Sequence, residues 1–485
     1  MNIPVTIDID NRKIENFSEL EQFAFEVGMT LGRELIRKCL ETQDLQLLAA
    51  RDSSRYRNKG LRSTCIKTKC GPVEYSRRVY EDKESSDSKY TYLLDEAMDL
   101  DKIGMFSPGL CKLVASSVCE STYRACARQV TELSGISISA QGAWNIVQKL
   151  GERNEEINER NTELVNASQS KGTIETKILY EENDGIWLKL QGKSREENGS
   201  SKEMKVGIAY DGARWIENSQ GKKRRILDNK IAYASFDPIK DFRENKEGLV
   251  ASRFSVNEIE LRVVNGDGAS WIQNRNDTDT ITVLDEFHRN KKLRECVKNK
   301  EHVKLIMEQL YSKSAEEILE YIEIAIDSVV DKEEEKGLKE LYKYYSENKE
   351  SLKGYYDRGI DIPETREPGV IHHARLGSME SNVFTLVGNR MKGRRCCWSI
   401  QGANNLVSIL CAYHTTGLED MFAPLPGRPE KEEEWVDTGK PLTANESKER
   451  VGKGYRYANS FSSGEVPEWV KEVFGIGEIG DLKFI

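Results

Sequence analysis

Three acids in this chain stand in unusual company. Glu380 lies between Ser378 and Asn382, in a stretch from Ile371 to Tyr413 that is otherwise small, apolar and basic, although the 485-residue chain carries 81 acidic side chains. Asp184 precedes Gly185, and Asp267 sits between Gly266 and Gly268. A glycine next to an acid leaves room for a metal or a backbone to approach closely. Gathered at one place, three carboxylates repel one another unless Mg²⁺ or Mn²⁺ neutralises them. Two such ions about 3.5–4 Å apart can activate a water or a 3'-hydroxyl and stabilise the leaving oxygen in phosphodiester displacement. Alone, each aspartate reads as a turn residue and Glu380 as a solvated acid; the constellation carries the chemistry. Arg390, Lys392, Arg394 and Arg395 follow Glu380 and suit the phosphates of a polyanion, which would make binding salt-sensitive. Trp398 reads either as a platform for a displaced base or as a core tryptophan.

These side chains need elements to hold them. From Ser378 a helix is expected, with Met379, Val383, Leu386, Val387 and Met391 at threes and fours. Asp184 falls in TKILYEENDGIWLKLQGK, which reads as two strands about EEND or as one long strand; Ser194 to Ser201 reads as a turn. KEMKVGIAYDGARW, KIAYASF, ELRVVNGDG and ITVLDEFH supply further strands, with a helix near 240–252. The sum is a mixed α/β layer. Residues 291–356 are charged and almost continuously helical, an insertion between the strands and the Glu380 helix. Six regions follow: 1–100, an α+β region; 101–160, helical; 161–290 and 365–420, the two parts of the α/β core; 291–364, the insertion; and 421–485, an irregular tail with one short helix from about Pro467 to Phe474.

The N-terminal regions are also patterned. Residues 15–50 carry Phe23, Phe25, Met29, Leu31, Leu35 and Leu40 at helical spacing, and 61–83 alternate about Gly71-Pro72 as a hairpin. Ser107-Pro108 opens a helix that turns Leu110, Leu113, Val114 and Val118 inward. The next uses Tyr123, Cys126, Val130 and Leu133, and after Gly135 a third begins near Ser139 and buries Ala143, Trp144, Val147 and Leu150. Two helices joined by a glycine turn match a helix-turn-helix, whose second helix would offer Gln141 and Asn145 to a DNA groove. Plain three-helix packing explains the same periodicity. A charged helix over 152–172 then leads to a domain boundary.

Composition narrows the classes. No run of about 18 apolar residues exists to span a membrane, and the N-terminus lacks the pattern of a signal peptide, so a cytoplasmic protein is expected. Ten cysteines, single apart from Cys396-Cys397, show no paired zinc spacing, although Cys65 and Cys70 flank a short segment. The net charge of −9 does not announce a nucleic-acid binder, yet local basic stretches still make a footprint.

GDGASWI at 266–272, LDEFH at 284–288, GSMESNVFTLVGNRMKGRRCCWSIQGA at 377–403 and YLLDEAMDLD at 92–101 resemble the ISLre-type family of bacterial insertion-sequence transposases, distant relatives of mutator-type enzymes. The resemblance covers nearly the whole chain and implies an RNase H-like core interrupted by a helical insertion. It also implies an Asp-Asp-Glu triad holding two Mg²⁺ or Mn²⁺. The second aspartate falls on Asp267, the glutamate on Glu380 and the first on Asp184, with Glu181, Glu182 and Asp211 as rivals. The Asp-x-x-His signature falls on Asp285 and His288, where the histidine shapes the site, contacts DNA or is structural. The implied activity is cleavage of DNA at element ends and strand transfer into target DNA, by a homodimer or larger assembly that holds two ends. A nuclease or resolvase on the same core, or a silent DNA-binding regulator, are the alternatives.

Overall fold

The computed structural model describes residues 14–428 except 86–89, 99, 101–105, 218, 220, 274–278, 364–375 and 394. Arg394 and the expected tail helix therefore lie outside the described residues. The described residues divide into two compact units, one up to residue 149 and one from residue 150 on.

In the first unit α1 (Phe17–Ala50) starts at Asn16, whose side chain accepts the Glu19 N–H. Leu40 packs with Ile66 of β1 (Tyr56–Thr68), with Val73 and Tyr75 of β2 (Gly71–Asp82), and with Leu94, which follows the short β3 (Tyr90–Thr91) and lies in α2 (Leu93–Met98). The stretch at helical spacing, open to one long helix or two shorter ones, forms a single helix, and the expected hairpin is present, but Phe25, Leu31 and Leu35 are exposed. Contacts that fix α1 to the hairpin run from Arg33, which donates to the Cys70 carbonyl, to buried Asp44, which pairs with Arg78.

α3 (Pro108–Glu120) is capped by Ser107 as its sequence suggests, and α4 (Tyr123–Ser134) ends at Gly135 with φ 64°. The third helix and the charged helix after it are one element, α5 (Ala140–Asn166). Two expected core residues face out: Leu133 is 61% and Trp144 38% exposed. Cys126, Ala127 and Val130 of α4, and Ala143, Ile146, Val147 and Leu150 of α5, take the buried positions instead.

The second unit is built on β4 (Ile178–Lys189), one uninterrupted strand through Asp184. The expected turn after it is α6 (Gly192–Asn198), whose Lys, Arg and Glu residues favour helix, so the chain reverses only at Gly199. Then come β5 (Ser201–Tyr210), β6 (Gly212–Glu217), β7 (Lys223–Asp228), β8 (Ile231–Ser235), α7 (Ile239–Arg253), β9 (Leu261–Gly266), α8 (Ser270–Gln273) and β10 (Thr280–Leu284). Five strands form a mixed sheet in the order β10-β9-β4-β5-β8, with β5 antiparallel to both β4 and β8, and β9 parallel to both β4 and β10. β6 and β7 form a separate hairpin, which splits at Asp211 the stretch expected to be one strand.

The insertion is α9 (Glu286–Cys296), α10 (Lys300–Ser312), α11 (Ala315–Ser328) and α12 (Lys332–Glu347), capped in turn by Asp285, Asn299, Ser314 and Asp331. It has its own apolar core, with Leu293, Ile306, Ile318, Ile322, Leu338 and Leu341 at its centre. The Glu380 helix begins as α13 (Met379–Val383) and widens into a π-helix over Phe384–Lys392; α14 (Ile400–Tyr413) follows. Met379, Leu386, Val387 and Met391 are buried as the spacing requires. No helix of the described residues is long and apolar enough to cross a membrane.

Candidate metal centre

Successive side chains of a strand point to opposite faces, so Glu182 and Asp184 of β4 share one. They have different tasks. Glu182 is fully buried and accepts the Gly377 N–H at 2.8 Å, the Ser378 N–H at 3.0 Å, the Tyr210 hydroxyl at 2.8 Å and the Asn265 amide at 3.1 Å. The strand thereby grips the backbone just before α13 and sets where Glu380 projects. Gly377 has φ 113°, a left-handed conformation that favours glycine. Burial raises the Glu182 pKa, and the bonds it accepts oppose that shift.

Asn265, at the end of β9, donates both to Glu182 and, at 2.9 Å, to Asp285. Asp285 also accepts the N–H groups of Phe287 and His288 and lies 3.2 Å from His288 Nδ1. Burial works against the Asp285 charge, but the bonds from His288 and Asn265 outweigh it and hold its pKa below the usual range. In return the bond to Asp285 raises the His288 pKa against the opposing effect of burial. With Nδ1 held by a carboxylate, Nε2 is the atom left to face a ligand.

One ligand atom each from Asp184, His288 and Glu380 lie within 4.8 Å of one another, the first two part-buried and Glu380 exposed. Among the described residues this is the one group of three or more His, Cys, Asp or Glu so placed. Burial pushes the Asp184 pKa up to about 6; the charges of Asp267 and Glu380 push the same way, while the Gly185 N–H and His288 favour the ionised form. The Asp267 carboxylate is not in the group and accepts the Ala269 N–H at 2.9 Å. Its charge is nonetheless felt at Asp184 and His288, and Tyr344 of α12 donates to its carbonyl at 2.8 Å. Two carboxylates and an imidazole are a donor set that fits a divalent ion.

The other expected residues are distributed as follows. Glu181 is bound in a buried ion-pair network with Lys246 and Arg262, Glu182 is taken up by the backbone before α13, and Asp211 accepts from Asn229, so none of the three rivals to Asp184 enters the cluster. Trp398 is a core tryptophan, 8% exposed, with its indole N–H on the Met391 carbonyl and Arg390 over its ring at 5.6 Å. Lys392 and Arg395 are exposed. Gln141 and Asn145 are joined by a 2.9 Å bond on the exposed face of α5. Cys65 and Cys70 are free thiols. The support from Glu182 and Asn265 is not evident from the sequence, where its only signal is polar residues in otherwise apolar strands.

The Uncharacterised protein family (UPF0236) matches residues 11–421. A UPF0236 protein of Caldanaerobacter subterraneus subsp. tengcongensis, whose name carries eleven locus designations, is 25% identical over 377 residues, 76% of this chain and 74% of the relative. Another from the same organism, with four designations, shows the same identity and coverage. The "UPF0236 protein in vanSb 3'region" of Streptococcus gallolyticus is 22% identical over 434 residues, 84% of this chain and 85% of the relative.

Proposed function

The chain belongs to the UPF0236 family, and from that premise we propose that it is a metal-dependent DNA transposase of the Asp-Asp-Glu kind, acting on the ends of an insertion sequence. The observation that carries this reading is the convergence of Asp184, His288 and Glu380, from three distant parts of the chain, within 4.8 Å. A divalent ion held by these residues, with the Asp267 charge acting on Asp184 and His288, would supply the Lewis acidity that phosphodiester displacement needs. The imidazole makes the set softer than three carboxylates and favours Mn²⁺ over Mg²⁺.

The protein's own groups do the positioning. Glu182 and Asn265 fix the start of the Glu380 helix, and Asp285 orients His288. The mixed sheet, with a self-cored helical insertion between Asp267 and Glu380, supports the RNase H-like core that the ISLre-type resemblance implies. Exposed Gln141 and Trp144, with half-buried Asn145, on one face of α5 suit contact with the element ends, and exposed Lys392 and Arg395 suit phosphates. We read the eleven locus designations of one relative as copies of one gene, the distribution that a self-moving DNA element leaves. Holding two ends together calls for a homodimer or larger assembly.

The test combines protein, Mn²⁺ or Mg²⁺, DNA carrying the element ends and a target plasmid. Joined product is expected, and Glu380→Gln should abolish it while end binding stays nearly intact. Cleavage without joining favours a nuclease instead, and DNA left uncut with either metal overturns both readings.

A further inference from the structure

The β6–β7 hairpin takes no part in the metal centre, yet it is locally basic in an acidic chain. Residues 212–230 hold six cations, Arg214, Lys222, Lys223, Arg224, Arg225 and Lys230, against the acids Glu217 and Asp228, in a protein of net charge −9. The register sets Trp215 opposite Arg225 and Ile216 opposite Arg224. Trp215 and Ile216 are 56% and 46% exposed. The hairpin is a two-stranded ribbon outside the five-stranded sheet, and an exposed indole there adds little to its own stability. Aromatic faces set among cations are how proteins grip unpaired bases and the phosphates between them.

The ribbon also borders a groove. Arg224, Arg225 and Lys230 form one wall of a cavity of about 920 Å³; Ser378, Ser381 and Asn382, which flank Glu380, line it too. Lys230 Nζ donates to Asn382 Oδ1 at 3.0 Å and ties the two sides together. No acid lines the groove among the described residues.

We propose that this hairpin and groove bind a single strand of DNA, with Trp215 stacked on an unpaired base and Lys223, Arg224 and Lys230 against phosphates, beside the Asp184–Glu380 centre. The strand's role as substrate rests on the transposase reading; the binding itself does not. A single strand is favoured over a duplex because the indole needs a base face that pairing and stacking would hide.

The test is fluorescence anisotropy with a labelled 20-nucleotide single strand, run in EDTA so that no metal chemistry contributes. Wild-type protein should bind, more weakly as salt rises. Trp215→Ala should weaken binding about 5- to 150-fold. The Lys223→Ala/Arg224→Ala double variant should lower the slope of log affinity against log salt by about 1.4, two phosphate contacts' worth. All three positions are exposed, and an unchanged melting temperature verifies that the variants are folded. The proposal is overturned if wild-type protein does not bind, if the variants bind as well as wild type, or if a duplex of the same sequence binds more tightly with Trp215 silent. Should wild-type protein with Mn²⁺ never cut DNA while the variants still lose the strand, the transposase reading falls and this site stands. Cutting by wild-type protein, with strand binding unchanged in the variants, removes this site and leaves the transposase reading in place.

Discussion

Asp184 is held in a state that the metal-free fold does not favour. Its folded pKa of about 6 lies above the ordinary carboxylate value near 3.9, so its contribution to stability is fully present below pH 4 and is lost as pH rises through 6. Two pH units correspond to about 3 kcal/mol at most. Asp184→Asn should therefore raise the melting temperature of metal-free protein by a few degrees at pH 7.5 and leave it unchanged at pH 4, as read by calorimetry. Adding Mn²⁺ should stabilise wild-type protein and not the variant. A lower melting temperature for the metal-free variant at pH 7.5 would show that the carboxylate is satisfied without a cation. At this scale the sequence was informative where an acid stood out from its surroundings: glycine beside Asp184, and small and basic neighbours around Glu380. It was silent about Glu182, because partners of a buried carboxylate at residues 377 and 378 are visible only after folding. His288 is singled out only by the family resemblance, since nothing in LDEFH says that its imidazole will face Asp184.

Among the elements, the junction between β4 and α13 decides whether Glu380 reaches the centre. Glu182→Ala would strand the Gly377 and Ser378 N–H groups and the Asn265 amide, a destabilisation of about 2–4 kcal/mol. The denaturant midpoint should fall accordingly, and Mn²⁺ binding should weaken although no proposed ligand is removed. A midpoint within error of wild type would mean that the helix start is held by other contacts. Element types were largely legible, because a cap such as Ser107 and the apolar spacing from Met379 to Met391 act locally. Which face turns inward was less so. Leu133 and Trp144 fit a helical stripe as well as Val130 and Val147 do, and only the packing partners choose between them. The π-helical widening after Val383 likewise had no signal in the spacing.

The second unit has a simple plan: a five-stranded sheet supplies Asp184 on β4 and Asp267 just past the end of neighbouring β9, a self-cored helical block intervenes, and the chain returns with Glu380. Tyr344 joins that block to the Asp267 carbonyl, so the insertion holds the backbone at Asp267 as well as interrupting the chain. The most direct test of the plan is titration of Mn²⁺ into metal-free protein, followed by electron paramagnetic resonance. At least one ion per chain should bind to wild-type protein, with the affinity falling at least tenfold in each of Asp184→Asn, His288→Ala and Glu380→Gln. Wild-type protein that binds no Mn²⁺, or three variants that bind it as tightly as wild type does, would contradict the account.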